Sequence, residues 1–97
     1  GMIVSNEPGF YKNGEYGIRI ENLVLIKKSK NKNFLEFETL TMFPYEKNLI
    51  DKEMLNIKQK QWINDYHEAI YINISPHLKN QERAWLREKS FKFNLSR

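Results

Sequence analysis

Strand-like patterning in this chain stops at Pro44, and helix-like patterning begins only after it. Residues 2–7 form a short strand-like run closed by Pro8-Gly9. Residues 16–27 form a longer run rich in β-branched residues, and 34–43 form a third that ends at Pro44. Beyond Pro44 the apolar residues change period. Trp62, Ile63, Tyr66, Ala69, Ile70 and Ile74 recur at the spacing of one helix face. Asn56 with Gln59 has the spacing of a capping box at the start of that helix, and Ser75-Pro76 stops it. Asp51 is placed to cap a short turn through Leu55, and Asn80 to cap a last helix carrying Ala84, Trp85 and Leu86. The tail from Phe91 reads as coil. Strands first and helices after define an α+β chain, with about three antiparallel strands followed by two or three helices. The division falls into 1–44 and 45–97.

Composition narrows the partners. The 97 residues suffice for one small domain, and the absence of cysteine excludes disulfides and thiolate metal sites. A cytoplasmic location is expected. The longest apolar run, Leu23-Val24-Leu25-Ile26, has strand length, whereas a membrane-spanning helix needs about 20 residues. No membrane partner is expected. The net charge is +4, but the lysines alternate with acids, and the KKSKNK cluster at 27–32 reads as a loop between strands. Without an aromatic stacking platform, this pattern gives no nucleic-acid surface. Gly9, Gly14 and Gly17 follow no phosphate-loop spacing. The strand runs are apolar on both faces, more than two helices can cover. Bare edges and faces drive association, so a homo-oligomer is expected, most simply a dimer through a sheet edge or face.

The stretch "SNEPGFYKNGEYGIRIE" at 5–21 holds two glutamates, Glu7 and Glu21, with the turn signal Asn13-Gly14 between them. Fully extended, the segment would hold them roughly 45 Å apart. A hairpin brings them back together, and its loop length decides what faces what. A two-residue loop pairs Glu7 with Ile20; a loop or bulge adding one residue pairs Glu7 with Glu21. Two carboxylates about 5 Å apart repel by roughly 3 kcal/mol at an effective dielectric near 20. A proton, a divalent cation or a neighbouring cation would relieve this, and Arg19 is a candidate for the last. On spacing alone, two solvent-facing acids remain the more common outcome.

"SNEPGFY" followed by "YGIRIEN" resembles the C-terminal part of aminopeptidase P, the Xaa-Pro aminopeptidases, relatives of prolidase, creatinase and methionine aminopeptidase. The resemblance continues through "FLEFETLTMFP", "LIDKEML", "WINDYH" and "ERAWL", and so covers nearly the whole chain. It implies the C-terminal portion of a pita-bread fold, with the catalytic-domain strands in 1–44 and a helical extension in 45–97. It also implies a site with two metal ions, usually manganese, held by two aspartates, a histidine and two glutamates. The reaction removes the N-terminal residue from peptides with proline second. By the same resemblance Glu7 contacts one metal, Glu21 bridges both, and Arg19 orients the surrounding shell. Tyr11 and Tyr16 are motif residues read as packing. The family's aspartate and histidine ligands have no counterpart here: His67 reads as a packing or surface residue and His77 as exposed. The chain is therefore expected to be a fragment of such an enzyme, to hold metal poorly and to be inactive alone. The alternative is a non-catalytic interaction or dimerisation module derived from that region.

Overall fold

A computed structural model of the chain describes residues 1–96. Five short strands come first: β1 (Ile3–Asn6), β2 (Gly9–Lys12), β3 (Tyr16–Arg19), β4 (Asn22–Lys28) and β5 (Leu35–Thr39). Two helices follow, α1 (Ile57–Ile74) and α2 (Asn80–Lys89), with 3₁₀ turns at Lys47–Leu49, Lys52–Met54 and Ser75–His77. The chain divides into two units, Gly1–Thr41 and a second beginning at Met42.

In the first unit β1, β4 and β5 form one antiparallel sheet in the order β1-β4-β5, and β2 pairs with β3 in a separate ribbon. The run read as one strand over 16–27 is thus two, parted at Ile20 and Glu21. The cause lies across the ribbon. Ile20 donates its N–H to the Pro8 carbonyl at 3.1 Å, but proline has no N–H to return, so the ladder lapses there. The third run is also shorter than its apolar pattern. Past β5 the Leu40 N–H still donates to the Leu23 carbonyl, but the Leu23 N–H donates to the Thr41 hydroxyl at 2.8 Å. A side-chain acceptor replaces the backbone ladder at that point. Val24 and Asn22 are buried, whereas Leu35 and Phe37 of β5 stand exposed.

The second unit is built on α1. Its start is the expected capping box: the Asn56 side chain accepts the Gln59 N–H at 2.8 Å, and the Gln59 side chain accepts the Asn56 N–H at 2.9 Å. Asp51 caps its turn by accepting the Glu53 N–H at 3.1 Å. The last helix starts one residue earlier than its asparagine suggests. Lys79 holds the cap position, because Glu82 lies three residues on and accepts the Lys79 N–H at 2.9 Å. Tyr66, Ile70 and Leu86 form the buried cluster, with Tyr45, Tyr71, Ile74 and Leu78 packed on it. Trp62, on the apolar helix face read from the sequence, is half exposed and stacks over Tyr66, ring centroids 5.4 Å apart. Trp85 is likewise half exposed, beside Phe43. Among the described residues no helix is long and apolar enough to cross a membrane.

Candidate functional site

The hairpin loop fixes the geometry of the two glutamates. Lys12 pairs with Tyr16, leaving three residues in the loop rather than two. Gly14 takes φ +74°, while Asn13 does not have positive φ, and the Glu15 N–H donates to the Lys12 carbonyl at 3.0 Å. That is a turn with the left-handed residue second, the place where glycine is favoured. A Lys12–Glu15 ion pair at 2.7 Å closes its base.

The extra loop residue sets one offset for both ladders. Gly9 pairs with Arg19 in the ribbon, and Asn6 pairs with Asn22 in the sheet. Carried across the interruption, the same offset sets Pro8 opposite Ile20 and Glu7 opposite Glu21. The Ile20-to-Pro8 hydrogen bond confirms it at the first of these positions. Residues directly opposite one another in an antiparallel pair lie on the same face.

Glu7 is held from two sides. Ser5 donates its hydroxyl to Glu7 Oε1 at 3.0 Å, and Arg19 Nη1 lies 3.9 Å from Glu7 Oε2. The arginine reaches diagonally, from the position two before Glu21, and both partners of the pair are about half exposed. A pair so exposed contributes at most about 1 kcal/mol. Glu21 is exposed. No cluster of three or more histidine, cysteine, aspartate or glutamate side chains occurs among the described residues.

Two glycines shape this face, and the sequence reading did not assign them this task. The Tyr11 ring lies over Gly17: a Cβ there would stand 2.7 Å from Tyr11 Cδ1. A Cβ at Gly9 would stand 2.8 Å from Arg19 Cγ and 3.0 Å from the Ile18 carbonyl oxygen. Gly9 thereby leaves room for the arginine to cross the ribbon toward Glu7. The readable signal was the pairing of each glycine with a long side chain, Gly9 with Arg19 and Tyr11 with Gly17, once the three-residue loop is known. Tyr16 packs near Phe10, ring centroids 6.2 Å apart.

The two histidines lie in the other unit. His77 is exposed. His67 is fully buried, with the Tyr45 N–H donating to Nε2 at 3.2 Å and Nδ1 lying 2.6 Å from the Phe91 carbonyl. An amide can only donate and a carbonyl can only accept, so the ring is the neutral Nδ1–H tautomer, with both nitrogens engaged by the backbone. Burial lowers its pKa from 6.5, partly opposed by the hydrogen bond to Phe91. Next to it, Asn64 accepts the Phe93 N–H at 2.7 Å and donates to the Phe93 carbonyl at 2.9 Å. Lys92 lies 2.6 Å from Glu68, and its hydrogen bond holds that carboxyl below the usual range.

The chain thus sets two glutamates at opposed positions on a hairpin turned at Asn13-Gly14, within an antiparallel strand set followed by helices. Comparison with known proteins gives the family. Residues 33–92 match the C-terminal region of peptidase_M24, and residues 1–28 match metallopeptidase family M24. The chain belongs to this family. It is 46% identical over 98 residues to a probable Xaa-Pro aminopeptidase P of Coprinopsis cinerea, an alignment covering 93% of this chain and 16% of the relative. It is 47% identical over 93 residues to a putative Xaa-Pro aminopeptidase of Saccharomyces cerevisiae, covering 93% of this chain and 12% of the relative. The crystal structure of an X-prolyl aminopeptidase from Caenorhabditis elegans, described as a cytosolic enzyme with a di-nuclear active site, superposes with a TM-score of 0.84 at 34% identity. That match covers 94% of this chain and 16% of the nematode chain. The chain thus spans about one sixth or less of the length of these relatives. Its strands and helices are those of the C-terminal portion of the pita-bread fold.

Proposed function

We propose that this chain supplies the glutamate pair and helical extension of a dinuclear-metal Xaa-Pro aminopeptidase, which removes the N-terminal residue from peptides with proline second. Residues 1–44 are then strands of the catalytic domain, and 45–97 are the extension. Glu7 would hold one metal ion and Glu21 would serve both, with Arg19 orienting Glu7. The observation that supports this reading best is the shared ladder offset that sets Glu7 opposite Glu21. Two carboxylates at neighbouring cross-strand positions suit hard divalent cations by donor type, and manganese is the proposed metal. When bound, such ions polarise a carbonyl and supply a nucleophilic water at neutral pH. The chain's own residues provide two of the five ligands that the resemblance implies. His67 is no substitute, since both its ring nitrogens are engaged. The 97 residues alone are therefore inactive in this reading, and the site of action is the cytoplasm.

A second reading, an interaction or dimerisation module, draws on the exposed apolar residues of the strands, Phe10, Leu35 and Phe37 among them. One experiment separates the two. The purified chain is assayed with manganese and an Xaa-Pro peptide, alone and with the remaining catalytic portion of a relative added in trans. The enzyme reading expects no release alone, restored release on mixing, and loss of restoration with Glu21→Gln. Full restoration by Glu21→Gln would overturn the ligand assignment. Failure of wild-type mixing, with self-association intact, would favour the module.

A further inference from the structure

Asn13-Gly14 is the one Asn-Gly step in the sequence, and the structure puts it at the tip of the hairpin whose loop length sets the ladder offset. Spontaneous deamidation requires the backbone nitrogen of the following residue to reach the asparagine side-chain carbonyl carbon. Most following residues impede this with their own Cβ. Gly14 has none, and nothing lies within 4 Å of where one would stand. Asn13 is exposed, and the turn's backbone hydrogen bond uses the N–H of Glu15, not that of Gly14. We propose that Asn13 is a site of spontaneous deamidation, and that its isoaspartyl product breaks the pairing register of the hairpin.

The step balances with water as the only co-reactant. The Gly14 nitrogen forms a bond to Asn13 Cγ, the Cγ–Nδ2 bond breaks, and the side-chain nitrogen leaves as ammonia with the proton from Gly14. The resulting five-membered imide is opened by water on either side. Opening at Cγ gives aspartate. Opening at the main-chain carbonyl gives isoaspartate, in which the chain continues through Cγ and one methylene is added to the backbone.

The two products differ in consequence. Aspartate adds a charge beside the Lys12–Glu15 ion pair and leaves the loop at three residues. Isoaspartate lengthens the loop backbone, and hairpin register follows loop geometry. The pairs Lys12 with Tyr16 and Gly9 with Arg19 then lose their alignment, and with them the offset that sets Glu7 opposite Glu21. Ten other asparagines, each followed by a residue with a Cβ, serve as internal controls in the same chain.

The test ages the full chain in mildly alkaline buffer. Peptide mass spectrometry then locates each amide-to-acid conversion, and isoaspartyl methyltransferase labelling identifies the isomer. Asn13 is expected to convert well ahead of the other asparagines, with isoaspartate at that position. Even conversion across all asparagines, or an intact Asn13, overturns the proposal. The register claim has its own readout: cross-strand nuclear Overhauser contacts between 9–12 and 16–19. These should vanish in the isoaspartyl fraction and persist in Asn13→Asp, which has the charge without the added backbone atom. Persistence in both overturns the register claim; loss in both assigns the effect to charge and overturns it equally.

Discussion

His67 shows how one side chain turns pH into stability. The folded chain holds its ring neutral and fully buried between the Tyr45 N–H and the Phe91 carbonyl. Unfolded, the ring takes a proton at its ordinary pKa of 6.5; folded, its pKa is lower, chiefly because burial disfavours the charge. Below 6.5 the unfolded state therefore binds more protons than the folded state, and stability falls as pH falls through the folded value. Well above 6.5 both states are neutral and the contribution is constant. Protonation would also set an Nε2–H against the Tyr45 N–H, two donors facing each other. Denaturation followed by the helical circular dichroism signal should show a midpoint that drops as the pH falls below about 6.5. In His67→Phe that part of the slope should be absent. An equal slope in both proteins would show that another group titrates. Glu68, whose carboxyl Lys92 holds below the usual range, acts in the same direction but at lower pH.

At the scale of elements, legibility divided along a physical line. The capping box at Asn56 and Gln59 and the Asp51 cap are local devices whose partners lie two or three residues away, so spacing revealed them. The break between β3 and β4 was hidden because its cause is Pro8, on the opposite strand. The burial of Asn64 and His67 was hidden for a similar reason: their partners Phe93 and Phe91 are distant in sequence, in a tail with no period of its own. For the candidate site, the two glutamates were readable as a pair only once the loop length was known. The part played by Gly9 emerged only from the position of Arg19 across the ribbon. That part predicts the effect of Gly9→Ala. Its methyl group would meet Arg19 Cγ at 2.8 Å and the Ile18 carbonyl at 3.0 Å, and the backbone oxygen has little freedom to move. Overpacking of this kind costs about 1–3 kcal/mol. The Ile20 amide, bonded to Pro8 just beyond, should exchange its hydrogen faster in the variant, while amides of α1 keep their rates. Unchanged exchange at Ile20 would show that the arginine simply shifts aside.

For the whole molecule, the question is what the strand edges do in water. The order β1-β4-β5 leaves the outer edges of β1 and β5 without a strand partner among the described residues. Exposed strand edges recruit other strands. The two edges are not equivalent under two-fold symmetry. Antiparallel pairing of β5 about Phe37 would set Glu36 beside Glu38 of the second copy, like charges at opposed positions, although Lys27 lies 3.8 Å from each within the chain. β1, with the sequence IVSN, has no charge to oppose. The hydrogen bond from the Ile26 N–H to the Met2 carbonyl fixes the alternation along β1, so the N–H groups of Ile3 and Ser5 face outward. We therefore predict a two-fold dimer paired through β1, seen as a dimer in sedimentation at micromolar concentration. Ile3→Pro removes one outward N–H and leaves the β1–β4 ladder its donors, and proline is tolerated on edge strands. This variant should sediment as a monomer with its helical signal intact. A wild-type monomer at that concentration would refute association altogether. A dimer that survives Ile3→Pro but is lost on Phe37→Lys would move the contact from the edge to the exposed apolar face.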